Sequence, residues 1–319
     1  MNVTNRKAYI GVSYPLFYDY STCAYVKGQK KSGRMPNPVI ESPVGLLILF
    51  DELWFISRAV CPINMRKLPY VHFVDEEIPD FDFKKLYENL LNDIECSIEC
   101  KPLPEEFKKY LYENGMNLDV HSRTIKLGKT EVFLRSTEYN FIFDYYVVEA
   151  LRETFGYDVE LVTNSIFNMV SSVESSTLEF IERISIKNIP NYITKLGPYH
   201  ECFEELRENE FLRDFRKWII EDHSHIQKSE ITERCSDVEK QIKEAQEKTY
   251  IKTLRNGGTG KFFFSTGKIT LMTAAGIMTP LTTIIDVASS IIGRAKGVLD
   301  YKGNRWQGFV IQSNNIDLK

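Results

Sequence analysis

The chain has 319 residues, 43% of them hydrophobic and 26% charged, with 20 Phe, 17 Tyr and a formal net charge of −4. That balance is ordinary for a soluble globular protein and allows one large domain or two small ones. The acidic excess argues against a protein built for non-specific nucleic-acid binding, and six scattered cysteines with no leader-like N-terminus point to a reducing cytoplasm and free thiols.

After a short polar lead, Tyr9–Ser13 reads as a buried strand. Ser21–Asn37 is loop-like, and its Lys27, Lys30, Lys31 and Arg34 suit a solvated surface better than a phosphate site. Ser42-Pro43 stands where a helix N-cap and first turn belong, so Val44–Phe50 is expected as a helix and Leu53–Ile56 as a strand. A hairpin turning at Asp51-Glu52 competes with that reading. The helix-then-strand order starts an α/β layout, which puts Arg58 and Cys61 just past a strand end, where such folds carry ligand groups.

Tyr70–Val74 is a candidate strand, and the acidic run Asp75, Glu76, Glu77, Asp80 and Asp82 after it suits an exposed loop better than a Mg²⁺ site. Helices are expected over Phe81–Ile98, Pro104–Tyr112 and Phe141–Phe155, a hairpin over Val120–Ser136, and a strand at Val159–Val162. Leu178–Lys187 alternates apolar and polar residues and is read as a strand, despite the capping-box spacing Ser176…Glu179.

Tyr199–Leu254 predicts two helices. Phe211, Leu212, Phe215, Trp218 and Ile219 form one apolar stripe, and Ile231, Cys235, Val238, Ile242, Ala245 and Thr249 a seam too short for an autonomous coiled coil. An antiparallel helical hairpin packed on the body of its own domain, as an insertion or lateral arm, is expected. Beyond it come a strand at Lys261–Phe264, helices over Ile269–Ile277 and Leu281–Leu299, and a closing strand at Arg305–Gln312. Ile269–Ile285 is uncharged, but a core helix is preferred over a membrane span because a strand follows it.

No complete catalytic constellation is present. Gly260-Lys261 and Gly267-Lys268 lack both the upstream Gly and the following Ser or Thr of a phosphate loop. Cys96 and Cys100 share a helical spacing, yet no second pair completes a zinc site. Asp51, between two apolar runs, is expected to pair structurally, with Arg58 as the candidate partner, and Trp218 on the stripe joins Asp51, Arg58 and Cys61 as a candidate binding residue. Arg216 and His223 stand at a helix end with six residues between them. That spacing resembles small helical ribonucleases of the HEPN type, although Lys217 only loosely matches the polar residue that follows the family's Arg. The resemblance implies a homodimeric, metal-independent site in which Arg216 stabilises a phosphorane and His223 moves the 2′-hydroxyl proton.

The expected architecture is α/β, a mixed and largely parallel sheet covered by helices, with α+β as the alternative. The body spans 1–198, the arm 199–256, and 257–319 returns to the body. The layout resembles bacterial proteins that sit among defence or mobile-element genes. The leading functional expectation is a cytoplasmic interaction protein, an accessory or regulatory subunit that binds a protein partner or its own copy, without cofactor or metal. The alternatives are the ribonuclease, and a membrane-perturbing effector acting through 269–299.

Overall fold

The computed structural model describes residues 5–14, 42–95, 103–114, 123–134, 137–163, 173–186, 197–255, 261–265, 268–272 and 305–314. In chain order the elements are β1 (Lys7–Ile10), α1 (Val44–Leu49), β2 (Glu52–Phe55), β3 (Val71–Phe73), α2 (Val74–Glu77), α3 (Phe83–Glu95), α4 (Glu105–Asn114), β4 (Arg123–Leu127), β5 (Thr130–Leu134), α5 (Thr137–Phe155) and β6 (Val159–Val162). They continue with α6 (Ser175–Ser185), α7 (Phe203–Arg207), α8 (Leu212–Asp222), α9 (Ile231–Arg255), β7 (Lys261–Ser265), β8 (Lys268–Met272) and α10 (Trp306–Ser313).

β3-β2-β1-β6 form one all-parallel sheet, with Ala8 opposite both Leu53 and Glu160, and Leu53 opposite Val71. Parallel strands covered on both faces read as near-continuous apolar runs, and Ala8–Ile10 and Leu53–Phe55 are buried throughout. The chain leaves β1 toward β2 and β3 on one side and later adds β6 on the other, so the strand order reverses between β1 and β6. Right-handed crossovers then put α1 and α5 on opposite faces of the sheet.

All six residues of α1 are buried. The helix is covered by α6, α7 and α8, and it approaches α6 so closely that a Cβ on Gly45 would lie 2.7 Å from the Leu178 carbonyl oxygen. On the other face α5 packs against β6 and α3. One hydrophobic cluster extends from Ala8 to Val310.

The helix-strand order Val44–Phe50, Leu53–Ile56 is observed, and the competing hairpin at Asp51-Glu52 is not, because β2 pairs in parallel with β1. The main sheet is parallel throughout rather than mixed; the antiparallel pairs β4–β5 and β7–β8 are separate two-stranded ribbons. Leu178–Lys187 is not a strand: Ser175–Ser185 is helical. Packed by both α1 and α9, α6 buries two sides, and Phe180 beside Ile181 blurs the three-to-four period that Leu178, Ile181 and Ser185 keep.

Ile269–Met272 belongs to a strand rather than a helix, pairing Ile269 with Phe264 and Leu271 with Phe262. Its β-branched residues beside a Phe-rich strand favour the ladder. The expected closing strand is helix α10, whose Trp306, Phe309, Val310 and Ser313 repeat at helical spacing and are buried. Thr273–Ile277 and the helix expected over Leu281–Leu299 lie outside the described residues. So do Cys96 and Cys100.

The two helices of Tyr199–Leu254 form, but their main neighbours differ. α8 packs on α10, with Phe215 stacked on Phe309 at 4.3 Å, while α9 lies on α6 and α10. Both helices pack on the body, as expected, but chiefly through α6 and α10 rather than through each other. Among the described residues no helix is long and apolar enough to cross a membrane.

Candidate functional site

In open parallel sheets, ligands bind beyond the carboxyl ends of the strands, where the strand order reverses. Here that position follows β1 and β6, at Gly11–Tyr14 and Thr163. The loop after β1 is organised by Asp144 of α5, a fully buried acid inside the apolar run Phe141–Val148. Its carboxylate accepts the backbone N–H of Val12 (2.7 Å) and of Ser13 (2.9 Å) and the Ser13 hydroxyl (2.7 Å), with the Tyr9 hydroxyl at 3.5 Å.

Gly11 makes the approach possible, since a Cβ there would stand 2.4 Å from Asp144 Oδ2. Burial pushes the Asp144 pKa up to about 7, against the opposing pull of the Ser13 and Val12 donors. The N–H groups that could cradle a phosphate in this position are therefore already taken by a carboxylate of the same chain. No motif announces Asp144, but an acid flanked on both sides by apolar residues is the kind of buried polar group that marks a special position.

At the carboxyl ends of β2 and β3 stand Ser57, Arg58, Asp75 and Glu76. Arg58 donates to Glu76 through Nε at 2.7 Å and Nη2 at 2.6 Å, and to the Arg66 carbonyl at 2.9 Å. That pair is exposed, and Arg58 holds the Glu76 carboxyl below its usual value. Burial pushes the Asp75 carboxyl up, with Ser57 donating to it. Cys61 is buried 2% exposed and its thiol is driven upward by desolvation, which leaves it unreactive.

Asp51 pairs with Arg216 rather than Arg58. Its other oxygen accepts the Arg6 N–H at 2.9 Å, and Arg6 in turn binds Glu160 through two nitrogens at 2.8 Å. Arg216 Nε donates to the Ile48 carbonyl at 2.6 Å and Nη2 to that of Phe50 at 3.2 Å. Arg207 donates to Leu47, Phe50 and Asp51 carbonyls at 2.6, 2.8 and 2.9 Å. Two arginines thus cap the C-terminal end of α1, where carbonyls without helical partners and the negative end of the helix dipole attract cations.

Arg216 is 6% exposed, so its guanidinium faces the protein interior and not a phosphodiester. His223 ends α8, edge-on to Trp218 at 4.3 Å, and burial lowers its pKa to about 4. It is neutral at physiological pH and unsuited to the acid half of acid–base catalysis. Trp218 stacks flat on Trp306, centroids 3.8 Å apart and 3° from parallel, which makes it a bolt between α8 and α10. Asp51, Arg216 and Arg6 are brought together; Arg58 and Cys61 lie elsewhere, and the Arg216 contacts include no histidine. No group of three metal-ligating side chains occurs among the described residues.

A concave site lies between α3 and α5, with a cavity of about 480 Å³ lined by Asp80, Phe81, Asp82, Tyr145, Glu149 and Glu153 among others. On α5, Tyr145, Glu149 and Glu153 recur every four residues and form one stripe, and Ala150 leaves room beside it. Phe81 and Phe155 both line it and stack on each other at 5.5 Å. Sequence reading missed this groove because its two walls are 60 residues apart and each looks like an ordinary charged helix face.

These features define an α/β protein with a four-stranded parallel sheet whose strand order reverses beside β1. No family model, curated protein or solved structure matches the chain.

Proposed function

We propose that the protein is a non-catalytic interaction protein, an accessory or regulatory subunit that binds a protein partner. The observation that carries the reading is the α3–α5 groove, a concave surface of about 480 Å³ combining aromatic walls with carboxylates. Pockets of that size with an apolar floor and a few convergent polar groups are common recognition sites. The reading also fits the chain's charge constellations, which are spent on its own backbone: Arg207 and Arg216 on the end of α1, and Asp144 on the loop after β1. The ribonuclease alternative requires an accessible Arg216, and the Arg216 guanidinium already binds Ile48, Phe50 and Asp51.

Light scattering and crosslinking of the tagged chain, purified gently from its own cells, test the proposal. A stoichiometric complex with a defined protein is expected. A lone monomer that cleaves RNA, with loss of cleavage in Arg216→Ala and His223→Ala, would sink it.

A further inference from the structure

We infer that the α3–α5 groove binds a segment of a partner protein in which Lys or Arg side chains alternate with apolar ones. The inference rests on the interaction reading above and specifies the chemistry of the partner.

The charge of the groove sets the sign of its occupant. Asp80, Asp82, Glu149 and Glu153 line it against a single cation, Lys85. Glu149 is shared with Arg152 at 3.1 Å, and among the described residues no ion pair neutralises Asp80, Asp82 or Glu153. Asp80, Asp82 and Glu153 are exposed at the rim, so their field reaches outward into the opening. An anionic ligand would meet repulsion on both walls.

The floor sets the shape of the occupant. Phe81 and Leu86 are buried beneath it, and Ala150, Tyr145, Tyr146 and Phe155 are half-buried along it. Aromatic faces attract ammonium and guanidinium groups, and apolar walls take methylene stems and aliphatic side chains. A bare metal ion is the wrong size for this arrangement, since the carboxylates stand too far apart to form a ligand cluster. A chain carrying cations at intervals, with apolar side chains between, satisfies the rim and the floor together.

The test uses a fluorescein-labelled nonapeptide of alternating Arg and Leu, its Glu–Leu counterpart, and the full-length protein. Anisotropy should show saturable binding of the Arg peptide and none of the Glu peptide. In the double variant Asp80→Lys/Glu153→Lys the affinity should fall tenfold or more. In a control variant reversing Asp237 and Glu239 on the exposed face of α9, it should change less than twofold. Asp80→Asn/Glu153→Gln, which neutralises without adding charge, should weaken binding to an intermediate degree and guards against misfolding of the reversal.

Equal losses in the groove and control variants would mean non-specific attraction and overturn the inference. So would the absence of saturable binding up to about 1 mM peptide. A cellular complex whose crosslinks avoid α3 and α5 would overturn it while leaving the interaction reading intact, whereas a chain with no partner at all removes that reading itself.

Discussion

Asp144 accepts both the backbone N–H and the hydroxyl of Ser13, at 2.9 and 2.7 Å, and so fastens helix α5 to the loop that leaves the central strand. The acid sits with no exposure, and its three closest donors all come from Val12 and Ser13. The two segments are more than 130 residues apart, so the contact ties the first strand to the crossover that builds the last one.

This carboxyl should make stability depend on pH. Burial raises its folded pKa from 3.8 to about 7, so between those values the folded chain binds the proton that the unfolded chain has lost. Its contribution is most favourable below about pH 4 and is lost as pH rises through 7, at up to about 1.4 kcal/mol per pH unit. Urea denaturation of the wild type and Asp144→Asn at pH 5, 6, 7 and 8 should show the wild type losing stability relative to the variant. A constant difference across the series would refute the assignment.

Gly11 and Asp144 should be energetically coupled. A methyl at Gly11 would meet Asp144 Oδ2 at 2.4 Å and the Val162 carbonyl oxygen at 3.1 Å. Gly11→Ala is expected to cost about 1–3 kcal/mol, the usual range for overpacking. In an Asp144→Ala background the same change should cost markedly less, since one of the two obstructions has gone. Additive effects in that cycle would show that the two do not press on each other.

Removing Arg216 should damage folding and leave any nucleolytic assay unmoved. Arg216→Ala strips the partly exposed Asp51 of its partner and the Ile48 and Phe50 carbonyls of a donor, and losing charge-assisted hydrogen bonds at such a part-buried site is worth about 1.5–3 kcal/mol. Arg216→Lys should recover only part of it, because an ammonium cannot span three acceptors in the plane of a guanidinium. Denaturant midpoints measure both, and a loss under about 1 kcal/mol for the alanine variant would contradict the capping role.

The Trp218–Trp306 stack should be visible spectroscopically. Rings 3.8 Å apart and 3° from parallel couple their transitions, so circular dichroism should carry an exciton couplet that Trp306→Phe abolishes. Because that stack joins α8 to α10, Trp306→Ala should also destabilise the fold, by about 3–5 kcal/mol for a large aromatic in a core. A couplet that survives Trp306→Phe would place the two rings apart in solution.

Short, mostly buried strands were legible in the sequence. Leu53–Ile56 is an apolar run between polar breaks, Val159–Val162 is interrupted only by Glu160, and both became strands of the parallel sheet. Asp51 was expected to pair with Arg58, and it pairs with Arg216. Which cation meets a given acid depends on how α8 crosses α1, and spacing along the chain carries no information about that.

Short apolar segments could not be decided in the same way. Residues 178–187 and 305–312 contain apolar residues at spacings compatible with either two or three-to-four, and their neighbours settle the choice by burying two sides of α6 and most of the circumference of α10. Composition and pattern alone determined that this chain has an α/β core, because burial on both faces of a parallel sheet demands continuous apolar strands. Only the tertiary structure decided that Arg216 serves the end of a helix, that Asp144 holds the loop after β1, and that the acids just before α3 share one groove with those on α5. Those are relations between segments 60 to 165 residues apart, created when hydrophobic faces stack and bring charges together that the sequence keeps separate.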